Sequence, residues 1–124
     1  MKSNYHFKLE DLNVYQKATD FGELVNTLVM KFPKHELYAL SSQFRRAADS
    51  IALNISEEYP RSDPQFIKHI HYVIYSSNEC VSCSSKAYRR DYISAEENEN
   101  NRMYLSELTK MLSSFRNKIQ ERNN

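Results

Sequence analysis

Apolar residues recur along the chain in steps of three and four, the spacing of helices that each bury one face. The first stripe is Val14, Ala18, Phe21, Val25, Leu28 and Phe32. It predicts a helix over about 11–31, with Asp11 as N-cap. Phe32-Pro33 closes it, because the residue before a proline is driven out of the α region. A second stripe, Leu37, Leu40, Phe44, Ala47, Ala48, Ile51 and Ile55, predicts a helix over about 35–58 with an irregular first turn near Ser41-Ser42. After the joint Tyr59-Pro60-Arg61-Ser62, Asp63 suits an N-cap, and Pro64 sits where its missing N–H costs nothing. The third helix, about 63–90, turns Phe66, Ile70, Val73, Ser77, Cys80, Val81, Ser84 and Ala87 inward. The middle of that face is small, which predicts close packing. Ser94-Ala95-Glu96-Glu97 matches a capping box and opens a fourth helix over about 95–120. Its inward residues are Tyr104, Leu108, Met111, Leu112, Phe115 and Ile119, and the run Glu96-Glu97-Asn98-Glu99-Asn100-Asn101 reads as its solvated first turns.

Four helices of similar length on short links make sequential neighbours antiparallel. The expected fold is all-α, an up-down-up-down four-helix bundle forming a single domain over 1–124. One glycine and three prolines fit this reading, since a strand-rich fold would need more turn residues.

Charge removes some functions. Seventeen basic residues against 16 acidic ones give the chain no bulk field for nucleic acid or anionic membrane. No apolar run approaches the roughly 18 residues of a membrane span, and the first residues lack a signal-peptide core. A cytoplasmic protein with reduced cysteines and no membrane partner is expected.

Motifs that suggest chemistry dissolve on inspection. Cys80-Val81-Ser82-Cys83 is a C-x-x-C, but it falls in mid-helix, with no strand before it to lower a thiol pKa. It lacks two further zinc ligands. His69 and His71 point about 200° apart on a helix and cannot share a metal. No Glu-x-x-His supports a di-metal bundle site, and one glycine cannot build a phosphate loop. The expected catalytic, cofactor and metal sets are therefore empty. The alternative is a small-ligand or metal-dependent enzyme with its site in the bundle core.

Helix two carries a second stripe that is unusual. Gln43, Arg46, Ser50, Asn54 and Glu57 run beside the apolar face, where an ordinary helix carries Lys and Glu. Such side chains suit a hydrogen-bonded network between helices or subunits, with Arg46 neutralised by a carboxylate, and Glu79 in mid helix three is the suspect. An arginine beside a core needs such a partner, so Arg46→Ala is expected to destabilise fold or assembly. The other reading is recognition of a ligand or nucleic acid by Arg46, Gln43 and Asn54. Small basic groups, Lys31 and Lys34 at the first joint and Lys86, Arg89 and Arg90 closing helix three, fall at one end of an up-down bundle. Repeated around a ring of subunits, they would form a positive rim able to contact RNA or DNA.

These residues carry a resemblance. Asp11-Leu12-Asn13-Val14-Tyr15-Gln16-Lys17-Ala18, Phe32-Pro33-Lys34-His35-Glu36, Leu40-Ser41-Ser42-Gln43-Phe44-Arg45-Arg46-Ala47, Ser50-Ile51 and Asn54-Ile55-Ser56-Glu57 resemble the bacterial four-helix bundle proteins encoded in intervening sequences of 23S ribosomal RNA genes. Glu79 and Tyr92-Ile93 fit the same pattern. The chain departs from it at Tyr15, Glu58, Tyr75-Ser76 and Val81. The resemblance implies an antiparallel bundle that assembles into a homopentamer, with no enzymatic activity or cofactor. It also implies kinship with the accessory protein of diversity-generating retroelements, which binds nucleic acid and a reverse transcriptase.

Overall fold

The computed structural model describes residues 2–58 and 64–123. A 3-10 turn (Lys8–Asp11) leads into α1 (Asn13–Val29), and a second one (Lys34–Glu36) precedes α2 (Leu40–Glu58). Then come α3 (Pro64–Arg89) and α4 (Ala95–Asn123). Among the described residues there is no strand. The expected joint 59–62 and the cap Asp63 lie outside the described residues, as do the side chains of Phe66 and Ile119.

Cross-helix contacts fix the directions. Gln43 of α2 reaches Glu79 of α3, and Ser50 reaches Ser76. Arg116, late in α4, lies beside His71, early in α3. Lys31, just past α1, pairs with Glu97 at the start of α4. Neighbours in sequence are therefore antiparallel neighbours in space, and the fold is the four-helix bundle that the apolar spacing predicts. The two ends of the series are less alike: α2 and α3 each pack broadly on two helices, while α1 meets α4 only sparsely.

The predicted stripes form the core. Phe21, Phe44, Ile51, Ile70, Leu108 and Leu112 are buried side chains from all four helices. Burying one such side chain is worth about 1.5–3 kcal/mol. On α3 the small face is confirmed: Ser77, Cys80, Ser84 and Ala87 are buried, joined by Cys83, while Val81 is only half-buried. Four expectations are corrected. Asp11 does not cap α1, because it ends a 3-10 turn and binds His6 at 2.9 Å, leaving Leu12 at the cap position. The irregular start of α2 lies before Leu40, not at Ser41-Ser42. Leu37 is exposed. Asn101 is buried, since it faces the small side of α3 and donates to Ser84 Oγ at 2.9 Å, while Ser84 donates to Asn98 at 2.7 Å.

The joint between α3 and α4 uses specific backbone chemistry on both sides. The capping box is formed: Ser94 N–H donates to Glu97 (2.8 Å), and Glu97 N–H donates to Ser94 Oγ (3.0 Å). α3 ends in a Schellman turn, with Tyr92 N–H on Ala87 C=O (2.9 Å) and Asp91 N–H on Tyr88 C=O (3.0 Å). Asp91 holds the left-handed position of that turn, at φ 64°.

Candidate functional site

The polar stripe of α2 divides into two parts. Its inner part is a network between α2 and α3. Ser50 and Ser76 share a hydrogen bond of 2.8 Å, and Asn54 donates to the Ser50 carbonyl at 2.7 Å. Gln43 Nε2 lies 3.4 Å from Glu79 Oε2. Gln43, Ser50 and Asn54 are half-buried there. The outer part faces away from the core: Arg46, Glu57 and Glu79 are exposed. The expected Arg46–Glu79 pair is not formed within the chain: Gln43 lies within reach of the carboxylate, and Arg46 and Glu79 are both exposed, where a pair would add little. Arg46 instead borders an open groove of about 500 Å³ with Glu79, Lys86 and Arg90.

Aromatic residues share this outer face. On α3, Tyr72 lies seven residues before Glu79 and Tyr75 four before it, so all three stand on one side of the helix. Both tyrosines are exposed. The rings of His69, Tyr72 and Tyr75 follow one another edge to face, at 5.7 and 6.4 Å between centroids. On α2, Leu53 lies seven residues past Arg46 and is exposed too. The signal was present in the sequence as Tyr72 and Tyr75 at i, i+3 beside Glu79, outside the apolar stripe.

The five basic residues at the joint end do not act alike. Lys31 is paired with Glu97. Arg90 is paired with Glu36 at 2.9 Å. Lys34, Lys86 and Arg89 are exposed, with no ion pair among the described residues. The rim thus carries three open cations and two neutralised ones.

Glu36 is the one residue here that the periodicity could not single out. It is only 6% exposed. Tyr92 Oη donates to it at 2.8 Å, Arg90 at 2.9 Å and the Leu40 N–H at 3.4 Å. The Tyr92 bond, with the Leu40 amide and the Arg90 charge, holds its carboxyl below the ordinary value, against the upward push of burial. The same bond holds the Tyr92 phenol above its ordinary value. This knot ties the first joint to the third, and Phe32 packs on the Tyr92 ring at 5.2 Å.

The cysteines are free and buried. Burial pushes the Cys80 thiol up, and pushes Cys83 up to about 11, so neither is a thiolate near neutral pH. No group of three or more His, Cys, Asp or Glu among the described residues is arranged to hold a metal. No helix of the described residues is long and apolar enough to cross a membrane.

Comparison with known proteins agrees with this architecture. The model of the 23S rRNA-intervening sequence protein family matches residues 10–114. Among solved structures, the chain is similar to a protein of unknown function from the S23 ribosomal protein family of Bacteroides thetaiotaomicron. The TM-score is 0.73 at 24% identity, over 82% of this chain and 95% of that one. Among curated proteins nothing matches.

Proposed function

The chain belongs to the 23S rRNA-intervening sequence protein family, and from that premise we propose that it is a self-assembling helical bundle, a scaffold or binding module and not an enzyme. We assign it five subunits, as the sequence resemblance implies, and RNA, DNA or an enzyme acting on nucleic acid as partner. The observation that carries this reading is the outer face of α2 and α3. Arg46 stands there without an ion pair among the described residues, beside exposed Leu53, Tyr72 and Tyr75. Arginine and tyrosine around an apolar centre are the residues enriched in protein contacts, and exposed aromatic rings also stack on unpaired bases. Neither use needs a buried catalytic group.

Light scattering gives the mass of the assembly, and a salt titration of RNA binding tests the partner. Lys86 and Arg89, the open cations that close α3, each neutralising one phosphate of a single strand, give a slope of about −1.4 in log K against log salt. Tyr72→Ala and Arg46→Ala are expected to weaken partner binding while leaving the melting temperature nearly unchanged. A monomer in solution refutes the assembly. A metal or small-molecule ligand that raises the melting temperature and supports turnover refutes the non-enzymatic reading.

A further inference from the structure

We propose that copies of this chain join head to tail at the joint end of the bundle, with an acidic stripe of α4 on one copy seated in a basic, apolar cleft between α1 and α2 on the next. This rests on the self-assembly reading and supplies its interface. The cleft holds about 200 Å³ and is floored by Val29, Phe32 and Pro33, with Lys34 and Arg45 in its lining and no carboxylate. Neither cation has an ion pair among the described residues. Met30 and Leu37 also line it, and they are 80% and 47% exposed. Two large apolar side chains in water beside a buried apolar floor mark a docking surface.

The chain carries a complement to that cleft. Glu96, Glu99 and Met103 recur at i, i+3, i+7 and share one side of α4. All three are exposed, Met103 at 52%, and neither acid has an ion pair among the described residues. Glu96 suits the helix dipole, but Glu99 lies beyond the first turn and Met103 gains nothing from it. Two acids followed along the stripe by an unbranched, adaptable apolar side chain match a cleft with two cations and an apolar floor. The charges set orientation and partner choice, and the buried apolar groups supply affinity.

Placement favours closure. Lys31, next in sequence to Met30 beside the cleft, pairs with Glu97 of the same molecule's α4. Cleft and stripe therefore lie at the same level along the bundle, one on α1 and α2, the other on α4. A rotation about an axis parallel to the helices brings stripe to cleft without a climb, which closes a ring and does not build a filament. The face of α2 and α3 that bears Arg46, Tyr72 and Tyr75 is left open to a partner.

Light scattering on charge-reversed variants tests this. Lys34→Glu with Arg45→Glu reverses the cleft, and Glu96→Lys with Glu99→Lys reverses the stripe. Each pair alone is expected to drop the assembly to monomer mass with its helical circular dichroism intact. The four changes together are expected to restore the wild-type mass. If the wild type is an oligomer and either pair leaves it intact, the interface lies elsewhere, while self-assembly stands. If the wild type is a monomer, self-assembly fails and this interface with it. A fourfold variant that stays monomeric overturns the pairing. So does a cleft variant that keeps its mass and loses RNA binding, which would reassign the cleft to nucleic acid.

Discussion

Glu36 is a carboxylate taken out of water and given three donors, from Tyr92, Arg90 and the Leu40 amide. Its proton affinity falls on folding, so the sign of its pH effect follows. The group favours the folded state at and above its ordinary value of 4.5, and that contribution is lost as pH falls through the lower folded value. Glu97 shifts the same way, through Lys31 and the Ser94 amide. The melting temperature should hold steady from neutral pH to about 5 and then fall. Glu36→Gln should melt lower than the wild type at pH 7, with the gap closing as pH falls below 4.5 and through the lower folded value. A gap that does not change with pH would mean that Glu36 contributes shape and not charge. Asp91 gives a second test. A side chain at φ 64° carries a steric cost that glycine avoids. Part of that gain returns as glycine's greater freedom when unfolded. Asp91→Gly should stabilise the chain by about 0.5 kcal/mol in urea unfolding. Neither feature was legible in the sequence. A buried acid and a charged residue closing a helix have no period, and both arise from how the first and third joints meet. Arg46 shows the reverse limit: its place on the stripe was readable, but its exposure depends on how far α3 covers that side of α2, which a stripe does not tell.

At the scale of elements, helix interiors were legible because burial of one face imposes a period of 3.6. The ends were less so. Asp11 looks like a cap by residue type, yet a 3-10 turn placed it one step too early, and its carboxylate went to His6. Ser94 and Glu97 were readable because two residues specify each other. Asn101 was missed because an amide in an acidic run looks solvated. It is buried only because Ser84, on the small face of α3, offers a partner. The one glycine yields a prediction at this scale. Gly22 is buried in mid α1, and a Cβ there would stand 2.9 Å from Asp49 Oδ1 of α2. That atom ends an exposed side chain, which can swing outward. Helix propensity favours alanine over glycine by about 0.8–1 kcal/mol. Gly22→Ala should therefore be neutral to mildly stabilising, within about 1 kcal/mol of the wild type in urea unfolding. A loss larger than that would show that α1 and α2 are held at this crossing by their backbones.

The whole molecule is best seen as a central pair, α2 and α3, with α1 and α4 on its flanks. The count of helices and their directions followed from stripes and short joints. The uneven seams did not, because a stripe tells which face is buried and not how many neighbours cover it. Between α1 and α4 run two open grooves of about 560 and 550 Å³. The seam is bridged by Lys17, 2.6 Å from Glu107 and 4.1 Å above the Tyr104 ring, and by Phe21 against that ring at 5.5 Å. Exposed ion pairs of this kind add little, about 0.2–1 kcal/mol, so the flanks are held mainly by one broad contact each. Local opening should follow that difference, because segments with fewer buried contacts open at lower free energy. In native-state hydrogen exchange, amides at 44–55 of α2 should be the best protected, together with those at 73–87 of α3. Amides at 110–118 of α4, which run beside the grooves and carry the last fully buried leucine of that helix, Leu112, should exchange at least about tenfold faster. Uniform protection across the four helices would mean that the bundle opens only as a unit. Protection of 110–118 that rises with protein concentration would place that seam inside an assembly contact and move the interface away from the joint end.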